Sequence, residues 1–405
     1  MPDSIPAPTS APTPTAIPTR ATGTVHWIGT GLSTGRSGLG LVCDRASRVV
    51  LWGRTRERAA QRLAELGLTG RAEPRTLDPA VLAAELAPGD VLVSMLPAGQ
   101  HPELLRLCTD RGAHFACSSY VSPELQEAAA KAESSGTVVL TEAGLDPGID
   151  HLMAHRLVEI GRAALPGAVS ADFTSYCGGL PAVPNAFRYR FSWAPLGVLS
   201  ALRNPARYVA GGEELTAERP WEATVDHRVD GELFEVYPNR DSLPFVTQYA
   251  IPADWQLQTF VRGTLRLEGW QAAWAEVFDT VRSGDDNRIA ALAQELAASH
   301  PMTEADRDRV VLTVALRLRA ADGSSWSGEY LLDLLGDEHE SAMARCVSLP
   351  LAYGITRILD GALPAGLHRA ARSPEEVERW LSFLAEQGIT SSFQQYPPSP
   401  EGEPT

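Results

Sequence analysis

Two groups of residues in this chain have the types and spacing for chemistry: glycines that admit an anion to the backbone, and arginines that alternate along one extended segment. Gly29-Thr30-Gly31 directly follows the apolar residues 25–28. Glycine there permits a tight turn and close approach to a pyrophosphate, and the helix expected next offers free N–H groups. Thr34 stands where the third glycine of a dinucleotide fingerprint belongs, and Gly35 comes one residue later. The next apolar run ends in Gly53-Arg54-Thr55. A guanidinium and a hydroxyl without a carboxylate suit a ribose 2′-phosphate, so NADP(H) is the expected cofactor. The alternative is Glu57 on the ribose, with Arg54 a solvated loop residue. Arg262 and Arg266 fall on one face of residues 260–267 if these form a strand. Arginine grips a carboxylate through two parallel hydrogen bonds. Arg262 reads either as such a clamp or as half of a structural ion pair.

Three further segments close expected strands: Ser94-Met95-Leu96-Pro97, Ser118-Ser119-Tyr120 and Leu145-Asp146-Pro147-Gly148. Open α/β sheets present ligands at the carboxyl ends of their strands. Asp146 reads as a substrate contact or as a helix N-cap. Cys177-Gly178-Gly179-Leu180-Pro181 reads as a turn that brings backbone close to substrate or cofactor. Cys177 itself reads as a small packing residue rather than a nucleophile. For His151, at an expected helix start, an acid–base role competes with capping or packing. The other histidines lack metal-ligand spacing, so no metal is expected.

The elements that must position these residues form an α/β chain. Strands at 25–28, 49–52, 90–96, 114–118 and 138–141 alternate with helices at 57–66, 102–111 and 123–134. That alternation predicts a Rossmann-like parallel sheet. After about Gly167, aromatic and polar residues alternate at 172–176 and 188–193, with further strands at 225–229, 260–267 and 310–319. These predict a second, α+β domain with a mostly antiparallel sheet, one face packed on helices. Helices are expected at 289–298 and 342–359. The organisation read from the chain is a disordered tail over 1–22, a nucleotide-binding domain over 23–150, a substrate domain over 151–340 and C-terminal helices over 341–395. The Pro-rich stretch from Tyr396 onward is expected to fray.

Bulk properties narrow the class. With 405 residues the chain has room for two cores. A net charge of −15 argues against a nucleic-acid partner, which needs a basic face. Five cysteines, none in a CxxC pair, fit a reduced cytoplasmic chain. No apolar run reaches the length of a membrane span.

The segment from Asp172 to Pro195, DFTSYCGGLPAVPNAFRYRFSWAP, resembles the substrate-domain core of the saccharopine reductase family, the L-glutamate-forming saccharopine dehydrogenases. Its companions appear in the family's order: Ser118-Ser119-Tyr120-Val121-Ser122-Pro123, Gly144 through His151, Tyr237-Pro238-Asn239-Arg240-Asp241-Ser242 and Val261 through Arg266. The resemblance covers residues 25–364. It implies an NADP-dependent oxidoreductase that interconverts saccharopine with 2-aminoadipate 6-semialdehyde and L-glutamate by hydride transfer to an imine. It implies cofactor contacts at Gly29, Thr30, Gly31, Leu32, Ser33, Gly53, Arg54, Thr55, Ser94, Leu96, Ser118, Leu145, Asp146, Pro147 and Ser192. Substrate contacts fall on Ser119, Tyr120, Asp146, Cys177, Gly178, Arg240, Thr264, Leu265 and Arg266. Asp146 is the first choice for proton transfer and Tyr120 the second.

Residues 182–190 depart from the family pattern: the loop is shorter and lacks an acid. This motivates an alternative, an imine reductase of the same fold acting on another amino-acid conjugate. A non-catalytic NADP-binding regulator is a further alternative, opposed by the retention of Tyr120, Asp146, Arg240 and Arg266. The expected partners are small amino-acid substrates, with a homodimer left open.

Overall fold

The computed structural model of the chain describes residues 17–191, 195–301 and 306–397. Short strands, mostly apolar apart from the edge strand β3, form the first sheet: β1 (Thr24–Ile28), β2 (Arg48–Gly53), β3 (Glu73–Thr76), β4 (Val91–Ser94), β5 (His114–Cys117) and β6 (Val138–Thr141). They lie in the order β6-β5-β4-β1-β2-β3, all parallel. All four residues of β4, β5 and β6 are buried, as expected when helices cover both faces.

The second sheet is built on β7 (Ala168–Pro181), with β8 (Ala206–Ala210), β9 (Glu213–Ala217), β10 (Val225–Val229), β11 (Glu232–Pro238), β12 (Gln256–Leu267), β13 (Asp308–Ala320) and β14 (Ser325–Leu335). Only the β12–β7 pair is parallel among the described residues. The chain then returns. β15 (Gly366–Arg369) adds to β6, completing a seven-stranded parallel sheet, and β16 (Ser391–Tyr396) pairs with β14. No helix among the described residues is long and apolar enough to cross a membrane.

One continuous core joins the two sheets. It contains Val93 and Leu140 of the parallel sheet, Leu152 and Leu157 of the helix Ile149–Ala164, Leu312 and Val314 of β13, and Leu349 and Ile355 of the helix Ala342–Leu359. That last helix packs on the helix Arg36–Arg45, which follows the glycine loop. A Cβ at Gly35 would collide with Glu340 and Ser348, and one at Gly38 with the Ser348 carbonyl. These glycines therefore serve helix packing.

Several expectations need correction. Residues 188–191 do not form a strand. Asn185 accepts from the Tyr189 amide and donates to its carbonyl, and Arg188 has φ 57°, which turns the chain. The aromatic alternation arises because Tyr189 and Phe191 are both buried beside Trp274. Cys177 to Pro181 continue β7 and form no turn. A Cβ at Gly178 would strike the Leu265 carbonyl, so glycine here admits the neighbouring strand rather than a ligand. At the amino end, the Thr19 amide donates to the Gly136 carbonyl and the Thr22 hydroxyl to Asp90, so the last residues assigned to a disordered tail are bound to the first domain. Tyr396, expected to fray, ends β16 and donates to Glu329 at 2.7 Å.

Candidate active site

The carboxyl ends of β1, β2, β4, β5 and β6 share one edge of the parallel sheet. At β1, Gly29 has φ 121°, open to glycine and strained for other residues, and its amide donates to the Trp52 carbonyl. Thr34, in place of the third fingerprint glycine, is fully buried and its hydroxyl donates to the Gly29 carbonyl at 3.0 Å. A side chain thus closes the loop that glycine packing closes elsewhere. A Cβ at Gly31 would meet nothing within 4 Å, and Leu32 is half exposed. That open backbone fits a pyrophosphate. At the end of β2, Thr55 caps the helix Arg56–Glu65 by accepting from the Arg58 amide. Arg54 is exposed and has no carboxylate in ion-pair range among the described residues, so its guanidinium is available to a 2′-phosphate.

At β4 and β5 the structure places an unassigned residue. His101, the first residue of the helix His101–Arg111, is 1% exposed and stands between two hydroxyls. Its Nδ1 lies 3.0 Å from Ser94 Oγ and its Nε2 2.9 Å from Ser119 Oγ. Burial pushes the imidazole down to about 4. Ser94 is itself buried, so its side chain is engaged with His101 and only its backbone remains for a cofactor.

Beyond β6 lies a dense ionic cluster. Arg262 Nη2 donates to Tyr120 Oη at 2.7 Å, Asp146 Oδ1 at 2.7 Å and Asp150 Oδ2 at 2.6 Å. The Tyr120 hydroxyl also donates to Asp146. The guanidinium sits 4.0 Å over the Phe245 ring. Asp150 accepts from the Gly148 amide at 2.6 Å, so Asp150, and not Asp146, serves the start of the helix Ile149–Ala164. His151 Nδ1 lies 3.1 Å from Asp150 and 2.9 Å from the Tyr249 hydroxyl. Its Nε2 lies 3.2 Å from Glu142, a charge contact without hydrogen-bond alignment. Glu142 in turn accepts from the Val121 amide and from Gln248.

The charges explain one another. Burial opposes ionisation of Asp150, yet His151, Arg262 and the Gly148 amide hold its carboxyl well below the usual range. Burial likewise opposes a charged His151, but Asp150 and Glu142 raise it above the ordinary imidazole value. Tyr120 is pushed far up by burial, with the neighbouring carboxylates adding to the effect. It stays a phenol that donates to Asp146. Burial also raises the Cys177 thiol well above its ordinary value, which removes it as a nucleophile.

Alternation along β12 sorts the remaining candidates. Arg262, Thr264 and Arg266 share a face; Thr264 stands opposite Cys177 on β7 and Tyr237 on β11. Leu265 points the other way, fully buried with Tyr176, Phe234 and Val311, so the expected substrate contact there is limited to backbone. Arg266 is 5% exposed and enclosed by Tyr189, Tyr237 and Trp270, with ring centroids 5.0, 5.6 and 5.5 Å away. It donates to the Tyr237 hydroxyl and the Leu265 carbonyl, while its Nε has no partner. Arg240 is exposed, 5.1 Å over the Tyr120 ring, with φ 59°. Neither Arg240 nor Arg266 has a carboxylate partner among the described residues. Ser192, an expected cofactor contact, lies outside the described residues.

A parallel dinucleotide-binding sheet facing an arginine-bearing antiparallel sheet defines the class of two-domain dinucleotide-dependent proteins. Residues 25–140 match the saccharopine dehydrogenase NADP binding domain, and residues 144–389 match the saccharopine dehydrogenase C-terminal domain. The chain belongs to the saccharopine dehydrogenase family, and its cofactor is NADP(H). It is 37% identical over 261 residues to the NADP+-dependent, L-glutamate-forming saccharopine dehydrogenase of Pyricularia oryzae, a match covering 62% of this chain and 56% of that one. The corresponding enzyme of Saccharomyces cerevisiae is 40% identical over 200 residues, 48% of this chain and 44% of its own. The chain thus spans about half the length of these curated relatives. The solved apo structure of the L-Glu-forming enzyme from Saccharomyces cerevisiae superposes with a TM-score of 0.77 at 27% identity, covering 92% of this chain and 100% of that one.

Proposed function

We propose that this chain is an NADP-dependent oxidoreductase on a C–N bond, interconverting saccharopine with 2-aminoadipate 6-semialdehyde and L-glutamate. The observation that carries this reading is the contrast between two arginines on one face of β12. The Arg262 charge is neutralised by Asp146 and Asp150, whereas Arg266 is buried with hydrogen bonds only to the neutral Tyr237 hydroxyl and Leu265 carbonyl and no carboxylate. An unpaired buried guanidinium is costly unless an anion completes it. A tricarboxylate such as saccharopine supplies that anion, and exposed Arg240 suits a second carboxylate.

Bound NADPH supplies the hydride that converts the imine carbon to an amine carbon. The residues of this chain hold the reacting atoms and manage the proton. Arg240 and Arg266 clamp the carboxylates and so orient the C–N bond, and positioning of this kind supplies a large part of the rate. The Asp146 carboxylate, oriented by Arg262 and Tyr120, takes the amine proton in the oxidative direction and returns it in reduction.

The loop over residues 182–190 favours a second substrate of the same class. Asn185 spends its side chain on the Tyr189 backbone, and the loop offers no acid to an ammonium group. Absorbance of NADPH followed with 2-aminoadipate 6-semialdehyde plus L-glutamate, and with saccharopine plus NADP+ in reverse, separates the two. Turnover in both directions is expected. NADPH binding without turnover would overturn the saccharopine assignment in favour of another amino-acid conjugate.

A further inference from the structure

His101 belongs to neither the glycine loop nor the ionic cluster, yet it links the two strands between them. It starts a helix after β4, and its ring packs edge-on against Phe115 of β5, with centroids 6.0 Å apart. Both ring nitrogens have serine hydroxyls as partners, Ser94 Oγ at 3.0 Å and Ser119 Oγ at 2.9 Å. Ser94 is 1% exposed, whereas Ser119 is only partly buried and precedes Tyr120. The chain of contacts therefore runs from the interior of the sheet to the candidate substrate side.

We infer that His101 is a positioning residue that fixes the orientation of the Ser119 hydroxyl, with buried Ser94 holding the opposite ring nitrogen. The reason lies in the donor inventory. A neutral imidazole carries one N–H and one bare nitrogen, so it must donate to one serine and accept from the other. Whichever tautomer the ring holds, it decides whether Ser119 accepts from the ring and keeps its own proton free or donates to it and keeps its lone pairs free. Burial with no carboxylate partner keeps the ring neutral, which preserves this asymmetry across ordinary pH. A charged ring would donate to both serines and erase it. The inference rests on the proposed reading in one respect, that Ser119 faces the amino-acid substrate.

The test compares His101→Phe, which keeps the packing on Phe115, with His101→Gln, which restores one hydrogen-bonding group. In the full chain, His101→Phe is expected to lower kcat about tenfold, the effect of one mispositioned hydrogen bond. The KM for NADPH should stay within about twofold, with partial recovery of kcat in His101→Gln. Combining His101→Phe with Ser119→Ala should cost no more than the larger single change, because both act through one hydroxyl. Nitrogen-15 spectra of histidine-labelled protein should show one protonated and one bare ring nitrogen for His101 between about pH 5.5 and pH 8. Additive effects of the two substitutions, or a His101 ring that titrates in that window, would overturn the inference. Absence of turnover in the unmodified protein would instead count against the proposed substrate, and the spectra would still decide the state of His101.

Discussion

The nucleotide loop and the cluster around Arg262 occupy the same edge of the parallel sheet and use different materials. The loop offers backbone at Gly31 and one exposed guanidinium at Arg54. The cluster offers side chains: Arg262, Asp150 and His151 are all buried and tied to one another. The loop region can lose the exposed side chains of Leu32 and Arg54 at little cost to the fold because solvent already covers them. The cluster cannot, because each charge there is compensated only by its neighbours.

The largest effect should come from breaking the cluster. Arg262→Met leaves Asp146 and Asp150 without their shared cation and should destabilise the protein by about 3–5 kcal/mol in urea unfolding. Adding Asp150→Asn should recover part of that loss. A cost below about 1 kcal/mol would mean that water already reaches these charges, and the contrast with the loop would fail.

A pair of glycines sharpens the comparison. Gly38→Ala forces a methyl into the Ser348 carbonyl and should cost about 1–3 kcal/mol. Gly31→Ala adds a methyl to open space, so stability should change by less than about 0.5 kcal/mol while the KM for NADPH rises. If Gly31→Ala melts early and binds NADPH normally, that glycine serves packing.

Arg54→Ala tests the loop's one charged group. Loss of a charge-assisted contact should raise the KM for NADPH about tenfold and leave that for NADH nearly unchanged. Equal effects on both would move Arg54 off the 2′-phosphate.

The smallest effect concerns pH. The His151 value is raised on folding, with Asp150 and Glu142 overcoming the effect of burial. Its contribution to stability is present in full below the ordinary imidazole value of 6.5 and is lost as pH rises through the folded value. Urea unfolding of the unmodified protein should therefore show a decline over that window, which His151→Gln removes. An unchanged slope in the variant would mean that His151 is neutral in the fold.

How much of this was legible in the sequence follows from how local each feature is. Five strands of the parallel sheet, β1, β2, β4, β5 and β6, were readable because apolar runs, turn residues and helix patterns repeat along the chain. The glycine loop and Arg54 were readable because they adjoin those strands. Residues 188–191 were misread as part of a strand because burial of Tyr189 and Phe191 mimics strand alternation, while Asn185 and Arg188 turn the backbone; residues 192–193 lie outside the described residues. β3, β15 and β16 carried too few apolar residues to announce themselves, and only their neighbours in the sheets define them.

The sequence by itself determined the chemistry available: an anion-accepting backbone at Gly29 to Gly31, a free guanidinium at Arg54, and arginines alternating along β12. Tertiary structure alone decided which arginine is spent and which is free. Arg262 lies 142 positions from Tyr120 and 116 from Asp146, so nothing in the local pattern foretells their meeting. The same holds for His101, whose two serines belong to different strand ends, Ser94 closing β4 and Ser119 following β5. Periodicity fixes the face on which a side chain stands, and sheet order fixes what stands opposite it.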